Sequence, residues 1–371
     1  MTEVIFHPSF IVFSLCTLIN LCLFIFLFGK FSFFKKPAKS IPVFPPVSVI
    51  ITAKNEDENL RNYLPSILEQ EYPVFEVIIV NDQSEDDTRF VLGDFEKQYP
   101  HLKVVTIKDY INDFPGKKLA ITLAIKKSTN NLLVFTDADC KPASNQWLKH
   151  IATDFDEHTD IVIGYSPYIK KNSLLNLFIQ FDTFYNALQY FSFCLAGMPY
   201  MGVGRNMAYK KELFMKYGFS SHLHIPYGDD DLFINKTATR DNVKIEIDPE
   251  SFVYSLPKGS YYKWKRQKTR HLKAGKEYKK QHKRWLGFVW LIQLMFYLSF
   301  LVTLFFFPTH YMLWSVFALR MMVAIFYYGK SLQLLRNINL IWFIPFIEAF
   351  YLLFLLPDFS LTAATSRRNA W

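Results

Sequence analysis

The amino-acid sequence predicts an α/β domain built on a mostly parallel sheet and flanked in the chain by membrane-spanning helices. Three observations carry this. Short β-branched runs alternate with polar, helix-like stretches between Pro42 and about Lys280. Long uncharged runs occupy both ends of the chain. The hydrophobic fraction of 51% over 371 residues, with 38 Phe, is high for a protein wholly in water. That composition excludes a disordered chain, a collagen-like chain and a small disulfide scaffold. The four cysteines, Cys16, Cys22, Cys140 and Cys194, form no Cys-x-x-Cys and no metal-ligand spacing.

The first element is Phe10–Phe28, uncharged and long enough to cross about 30 Å as a helix. No Lys or Arg precedes it, while Lys30, Lys35, Lys36 and Lys39 follow. A cleaved signal peptide has the opposite polarity. Residues 1–31 therefore read as an uncleaved anchor, with the following domain in the cytoplasm.

Residues 42–258 form the predicted soluble domain. Val47–Thr52 is a buried-strand run, followed by the polar stretch Asp57–Gln70, Val77–Val80, Val104–Ile107, the stretch Lys117–Lys127, and Leu132–Phe135. Strands alternating with helices give a parallel sheet covered on both faces. Such sheets bind ligands beyond the C-terminal ends of their strands. Neither Gly-x-Gly-x-x-Gly nor Gly-x-x-x-x-Gly-Lys-Ser/Thr follows the first strand, so dinucleotide and P-loop chemistry are unsupported. Carboxylates stand there instead: Asp82 ends the second run, Asp137 and Asp139 follow the fourth, and Gly228-Asp229-Asp230-Asp231 comes later. An isolated Asp-x-Asp is usually a solvated turn or a helix cap. Two carboxylates on a loop after a strand can also hold one Mg²⁺ or Mn²⁺ together with substrate phosphates. A crowded carboxylate in the later cluster supplies a general base.

The stretch Tyr165–Gly197 is strongly aromatic and carries one acidic residue, Asp182. Two readings stay open for it, a core helix and a membrane-surface helix that brings a lipid to the site.

Charge is local. Lys263–Arg284 holds 11 Lys or Arg and one Glu; without it the chain has 31 basic and 32 acidic residues, against 42 and 33 with it. The net charge of +9 is thus one stripe, assigned to residues 259–285 as a basic, amphipathic membrane-surface segment. A nucleic-acid binder would spread its basic residues over the globular domain. Residues 286–357 are apolar in three runs, Leu286–Phe307, His310–Tyr328 and Ile338–Pro357, and read as about three further spans. Arg320 lies inside the second, where a charge is functional or faces a polar partner. Counting spans puts the tail, 358–371, outside, whereas Arg367, Arg368 and Trp371 favour the cytoplasmic interface. One re-entrant segment would reconcile the two.

Taken in order, these motifs resemble the family 2 glycosyltransferases, inverting nucleotide-sugar enzymes with a GT-A fold, over roughly Pro46–Lys280. Val47–Glu56 resembles the first strand and nucleobase loop, which implies that Ala53, Asn55 and Glu56 lie near the nucleotide. Ile78–Thr88 is similar to the second motif and implies a base contact for Asp82. Gly116-Lys117-Lys118-Leu119-Ala120 implies Lys117 near the nucleotide or sugar. Asp137-Ala138-Asp139 resembles the DxD motif, which implies Asp139, ahead of Asp137, as ligand for a divalent metal. Gly204–Ala208 implies Asn206 near the donor sugar, and Asp229-Asp230 implies Asp230 as catalytic base.

The family's last motif, Gln-x-x-Arg-Trp, departs here. Gln267-Lys268-Thr269-Arg270-His271 ends in His, and a literal match, Gln281–Trp285, lies 14 residues later. The first is preferred because it follows Asp230 by 37 residues, while the second abuts the membrane run. Gln267 and Arg270 then join the catalytic set, Arg270 being able to grip a diphosphate bidentately.

The resemblance implies sugar transfer from a UDP- or GDP-sugar to a membrane lipid or lipid-linked glycan, at an inner or cytoplasmic membrane. An iterative polysaccharide or chitin-oligosaccharide-type synthase is the alternative, opposed by His271 in place of Trp. A catalytically dead, membrane-anchored scaffold is a third reading, opposed by the intact set of carboxylates.

Overall fold

The computed structural model describes residues 4, 6–37, 44–108, 116–219, 223 and 225–364, with 355–364 described by backbone alone. Lys39 and the tail residues Arg367, Arg368 and Trp371 lie outside the described residues. The chain divides into two compact units.

The first unit comprises Lys35–Asn176 and Gly197–Glu277. Its strands are β1 (Val47–Ala53), β2 (Phe75–Asp82), β3 (Leu102–Ile107), β4 (Leu132–Phe135), β5 (Cys140–Pro142), β6 (Ile161–Ile163), β7 (Met207–Lys210), β8 (Val243–Ile245) and β9 (Val253–Ser255). Seven form one sheet in the order β3-β2-β1-β4-β7-β6-β8, and β5 pairs with β9 in a second. β1 runs parallel to β2 and β4, and β2 to β3, while β7 is antiparallel to β4 and β6.

Every residue of β1 and β4 is buried. That is why both are mostly apolar and lack a polar–apolar alternation, since a central strand with helices on both faces has no solvent side. The helix Asp57–Leu68 buries Leu60, Leu64, Ile67 and Leu68, which recur at helical spacing on one face. The helix Lys118–Lys127 likewise buries Ala120, Ile121, Ala124 and Ile125. Trp147, fully buried, packs in the same core as Val49, Val77 and Val134.

The strand order reverses between β1 and β4, on either side of which the chain proceeds in opposite directions across the sheet. An open α/β sheet forms its ligand crevice at such a switch point, beyond the C-terminal strand ends. The register aligns Ala53 with Asn81 and Ile50 with Phe135, so the segments leaving β1, β2 and β4 emerge along one edge. Lys36, one of the basic residues used for orientation, pairs within this unit with Asp154 (3.3 Å) and with the buried Glu246.

The second unit comprises Met1–Phe34, Leu177–Ala196 and Tyr278–Trp371. Among the described residues, three helices are long and apolar enough to cross a membrane: Pro8–Ser32, which contains a π-helical turn at Phe24–Phe28, Lys280–Phe306 and Tyr311–Leu334. The third C-terminal run is a 3-10 turn, Ile338–Phe343, leading into the helix Ile344–Ala364. Arg320 is fully buried and grips Glu348 through two hydrogen bonds, Nη1 to Oε2 at 2.5 Å and Nη2 to Oε1 at 2.9 Å. Tyr297 and Tyr328 donate to the same carboxylate at 2.5 and 2.6 Å, and Asn20 Oδ1 accepts from Arg320 Nη2 at 3.3 Å.

The aromatic stretch forms the helix Leu174–Leu195. Most of it belongs to this unit, where Asp182 accepts a hydrogen bond from Tyr351 at 2.5 Å and Gln180 from Asn337 at 3.2 Å. Of the two readings of this helix, packing among the apolar helices is the arrangement found.

Candidate active site

A cavity of about 550 Å³ opens at the C-terminal edge of the sheet in the first unit. Ala53 and Glu56 line it from the end of β1, Asp82 from β2, and Asp137 and Asp139 from the loop after β4. Asp229 and Asp230 enter from the segment ahead of the helix Asp231–Thr237. Gln267, Arg270, His271 and Ala274 complete it from the helix Tyr261–Gly275. Their spacing of three, four and seven residues from Gln267 is that of one helical face. The basic stripe therefore contributes one face of a helix to the cavity.

Asp230 is held by two backbone amides: Gly204 N–H donates to Oδ2 and Asp231 N–H to Oδ1, each at 2.8 Å. Burial raises the pKa of Asp230, and these two hydrogen bonds oppose the rise. Its neighbour Asp229 is pushed up to about 6 by burial and by Asp230, against the pull of Lys117. Lys117 Nζ meets Asp137 Oδ1 at 2.8 Å. Burial pushes Asp137 up, but Lys117, Arg205 and Lys258 outweigh it, and the carboxyl stays below its ordinary range. Burial also raises Glu56.

One ligand atom each from Asp137, Asp139 and Cys140 lies within 4.8 Å of the others. Cys140 is fully buried and donates its thiol to Asp139 Oδ1 at 3.4 Å, and burial pushes that thiol well up, so it stays protonated. The donor set offered to a cation is then two carboxylates with access to the cavity. Hard oxygen ligands of this kind fit Mg²⁺ or Mn²⁺.

Two expected residues have other work. Asn55 does not line the cavity. It takes a left-handed backbone (φ 57°), which Asn tolerates. Its N–H donates to Ser84 Oγ at 3.0 Å and its Oδ1 accepts from Glu85 N–H at 2.8 Å. It thus ties the loop after β1 to the loop after β2 and supports Glu56, whose own N–H donates to Thr88 Oγ1 at 2.9 Å. Asn206 is fully buried and does not line the cavity either. Its Nδ2 donates to the carbonyls of Tyr165 (2.8 Å) and Ser251 (2.9 Å), and its Oδ1 accepts from Trp147 Nε1 at 3.0 Å. Asn206 therefore anchors the stretch whose preceding residues, Gly204 and Arg205, face the site.

Arg205, Tyr168 and Lys258 are absent from the sequence-derived set. The Arg205 guanidinium stacks 4.4 Å from the centre of the Tyr168 ring, and Gln267 Nε2 donates to Tyr168 Oη at 3.2 Å. Lys258 Nζ stands 3.8 Å from Asp139 Oδ2. Arg205 lies inside the Gly204–Ala208 stretch already singled out, so a signal for it existed. Tyr168 lies in the aromatic stretch Tyr165–Gly197, which gave no hint of a site role, and Lys258 lies outside every motif.

A mixed sheet of this order, with carboxylates gathered at its switch point, agrees with the GT-A fold that the sequence resemblance implied. Residues 48–218 match the family model Glycosyl transferase family 2, and the chain carries a glycosyltransferase domain of that family. The pair Asp229-Asp230 and the helix with Gln267 and Arg270 lie beyond the matched residues. Among solved structures, a mannosyltransferase from Pyrobaculum calidifontis, PcManGT in complex with GDP-Man and Mn²⁺, is similar at 19% identity. The match covers 89% of this chain and 95% of that one, with a TM-score of 0.57. S. aureus TarS 1–349 in complex with UDP-GlcNAc is similar at 14% identity over 78% of this chain and 73% of that one, TM-score 0.43. No curated protein sequence matches the chain.

Proposed function

We propose that the protein transfers a sugar from a UDP- or GDP-sugar, with inversion, to a hydroxyl of a membrane lipid or lipid-linked glycan, and that it does so on the cytoplasmic side. The observation that carries this reading is the single cavity into which Asp82, Asp137, Asp139, Asp230, Gln267 and Arg270 all converge.

Ala53, Glu56 and Asp82 bind the nucleoside at the ends of β1 and β2. Asp137 and Asp139 would hold a Mg²⁺ or Mn²⁺ ion, whose chemistry when bound is to neutralise a diphosphate leaving group. PcManGT was solved with Mn²⁺ and a nucleoside-diphosphate sugar on this fold, which supports the choice. Lys117 and Arg270 add fixed positive charge on the diphosphate side. Asp230, its carboxylate oriented by two N–H groups and its pKa raised, accepts the proton of the acceptor hydroxyl as that oxygen attacks the anomeric carbon. Apolar helices precede and follow the catalytic residues in the chain, which favours an acceptor that resides in a membrane.

The test compares membranes containing wild type with membranes containing Asp230→Asn, each incubated with labelled UDP- and GDP-sugars, Mn²⁺ or Mg²⁺, and a lipid extract. Label entering the lipid phase with wild type alone is the expected result. Label accumulating in long water-soluble chains would replace this reading with the iterative synthase. Equal transfer by both would remove Asp230 from the role of base.

A further inference from the structure

Lys118 stands next to Lys117 in sequence but does different work. It is 1% exposed, the first residue of the helix Lys118–Lys127. Its Nζ donates to the carbonyl of Ile225 and, at 3.3 Å, to that of Tyr227. Burial lowers its ammonium to about 8, opposed by the Asp229 carboxylate. A charge taken out of water is costly unless it is paired or hydrogen-bonded. Packing alone would be met by Met or Leu at no such cost.

The contact is reinforced by the backbone. Gly116 has φ +71°, and a Cβ added there would stand 2.3 Å from the carbonyl oxygen of Pro226. The turn 116–118 and the segment 225–227 thus touch main chain to main chain. Two and three residues beyond Tyr227, after Gly228 turns the chain at φ +74°, come Asp229 and Asp230.

We propose that Lys118 is a positioning residue: it clamps the segment 225–227 to the turn 116–118 and so sets the place of Asp230. The clamp also links two parts of the site. Lys117 reaches Asp137 on the diphosphate side, while Lys118, on the same turn, holds the base segment. Displacing that turn displaces both together. A misplacement near 1 Å costs about a hundredfold in rate, so the clamp has leverage that its distance from the reacting atoms hides. This inference rests on Asp230 as base in the proposed transfer.

The test uses the full chain in detergent, as wild type, Lys118→Met and Lys118→Gln, read by hydrogen–deuterium exchange, nucleotide-sugar binding and transfer rate. Amides of 225–232 should exchange at least tenfold faster in Lys118→Met, with β1 amides unchanged. Transfer should fall about ten- to a hundredfold, donor affinity should stay within about threefold, and Lys118→Gln, which keeps an N–H donor, should lie between. Unchanged exchange over 225–232 overturns the clamp. So does faster exchange throughout the unit, or donor affinity falling in parallel with rate. If Lys118→Met fails to fold, Lys118→Gln decides by the same local exchange. If wild type transfers no sugar, exchange still decides the clamp while the proposed function alone falls.

Discussion

The amide of Gly204 donates to Oδ2 of Asp230 over 2.8 Å, and the absence of a side chain at 204 is what lets the carboxylate come that close. A Cβ there would stand 3.0 Å from Oδ2 and 3.2 Å from the Asp230 Cβ. Gly204→Ala should turn the carboxylate and lower turnover about ten- to a hundredfold, with nucleotide-sugar binding retained. Turnover and donor affinity measured on the same preparation check this; equal turnover would show that the close approach is dispensable.

The Asp229–Asp230 pair sets the acidic limb of the pH profile. Asp230 is raised and Asp229 titrates near 6, against an ordinary 3.8, so kcat/KM should climb with pH and level off only above about 6. The same shift has a stability consequence. A carboxyl that titrates higher folded than unfolded costs nothing below about pH 4, costs progressively more as pH rises from 4 to 6, and keeps the full cost of about 3 kcal/mol at pH 7. Asp229→Asn should therefore raise Tm at pH 7 and leave it nearly unchanged at pH 4. Parallel melts at the two pH values test the sign.

Removal of the metal should be felt through Asp137 and Asp139. Chelation should abolish transfer by wild type, and Asp139→Asn should weaken Mn²⁺ binding by tenfold or more, on the order of 1.4 kcal/mol. Titration calorimetry with Mn²⁺ alone reads this without any sugar acceptor. Undiminished Mn²⁺ affinity in Asp139→Asn would remove that residue from the ligand set.

Asn206 gives a contrasting expectation. Three hydrogen bonds converge on its buried amide, from Trp147 and to the carbonyls of Tyr165 and Ser251. Asn206→Ala should cost about 2–4 kcal/mol, since three buried groups lose their partner, and should lower Tm more than it lowers turnover per folded molecule. A selective loss of turnover would return Asn206 to the donor site.

The parts of this architecture that were legible in sequence are those with a local signature. Val47–Ala53 and Leu132–Phe135 announce themselves because strands buried on both faces are dominated by β-branched and apolar residues, the buried Ser48 of the first being satisfied by a hydrogen bond to Glu76. Asp82, Asp137 and Asp139 were legible because they follow such runs. The strands β5, β6, β8 and β9 have three residues each, too few for a period, and β5 ends in Pro142. Asn206 was read as a donor contact from its place in a motif, yet its side chain turns into the core while Arg205 beside it faces the cavity. The Arg205–Tyr168 stack joins residues 37 apart in the chain, and no periodicity predicts such a pair. The helix Leu174–Leu195 spreads aromatic and aliphatic residues around its whole circumference with a few polar ones among them, a pattern common to core and membrane helices, so only its packing partners could decide it.

Arg320 shows the same limit inside an apolar run, because its partner Glu348 lies 28 residues away. The pair is fully buried, and Asn20, Tyr297 and Tyr328 add hydrogen bonds to it, so helices from both ends of the chain meet at one ionic contact. Removing one partner of a buried pair strands the other charge, at a cost of about 3–5 kcal/mol. Arg320→Met and Glu348→Met should each destabilise the detergent-solubilised protein by that order. The double variant should cost less than the sum, because no charge is left behind. It should not return to wild type, since Tyr297 and Tyr328 lose their acceptor, worth about 1–3 kcal/mol each where no water replaces it. A double-variant cycle of unfolding free energies measures the difference. Additive losses would mean that the two side chains act independently, and that the ion pair does not hold these helices together.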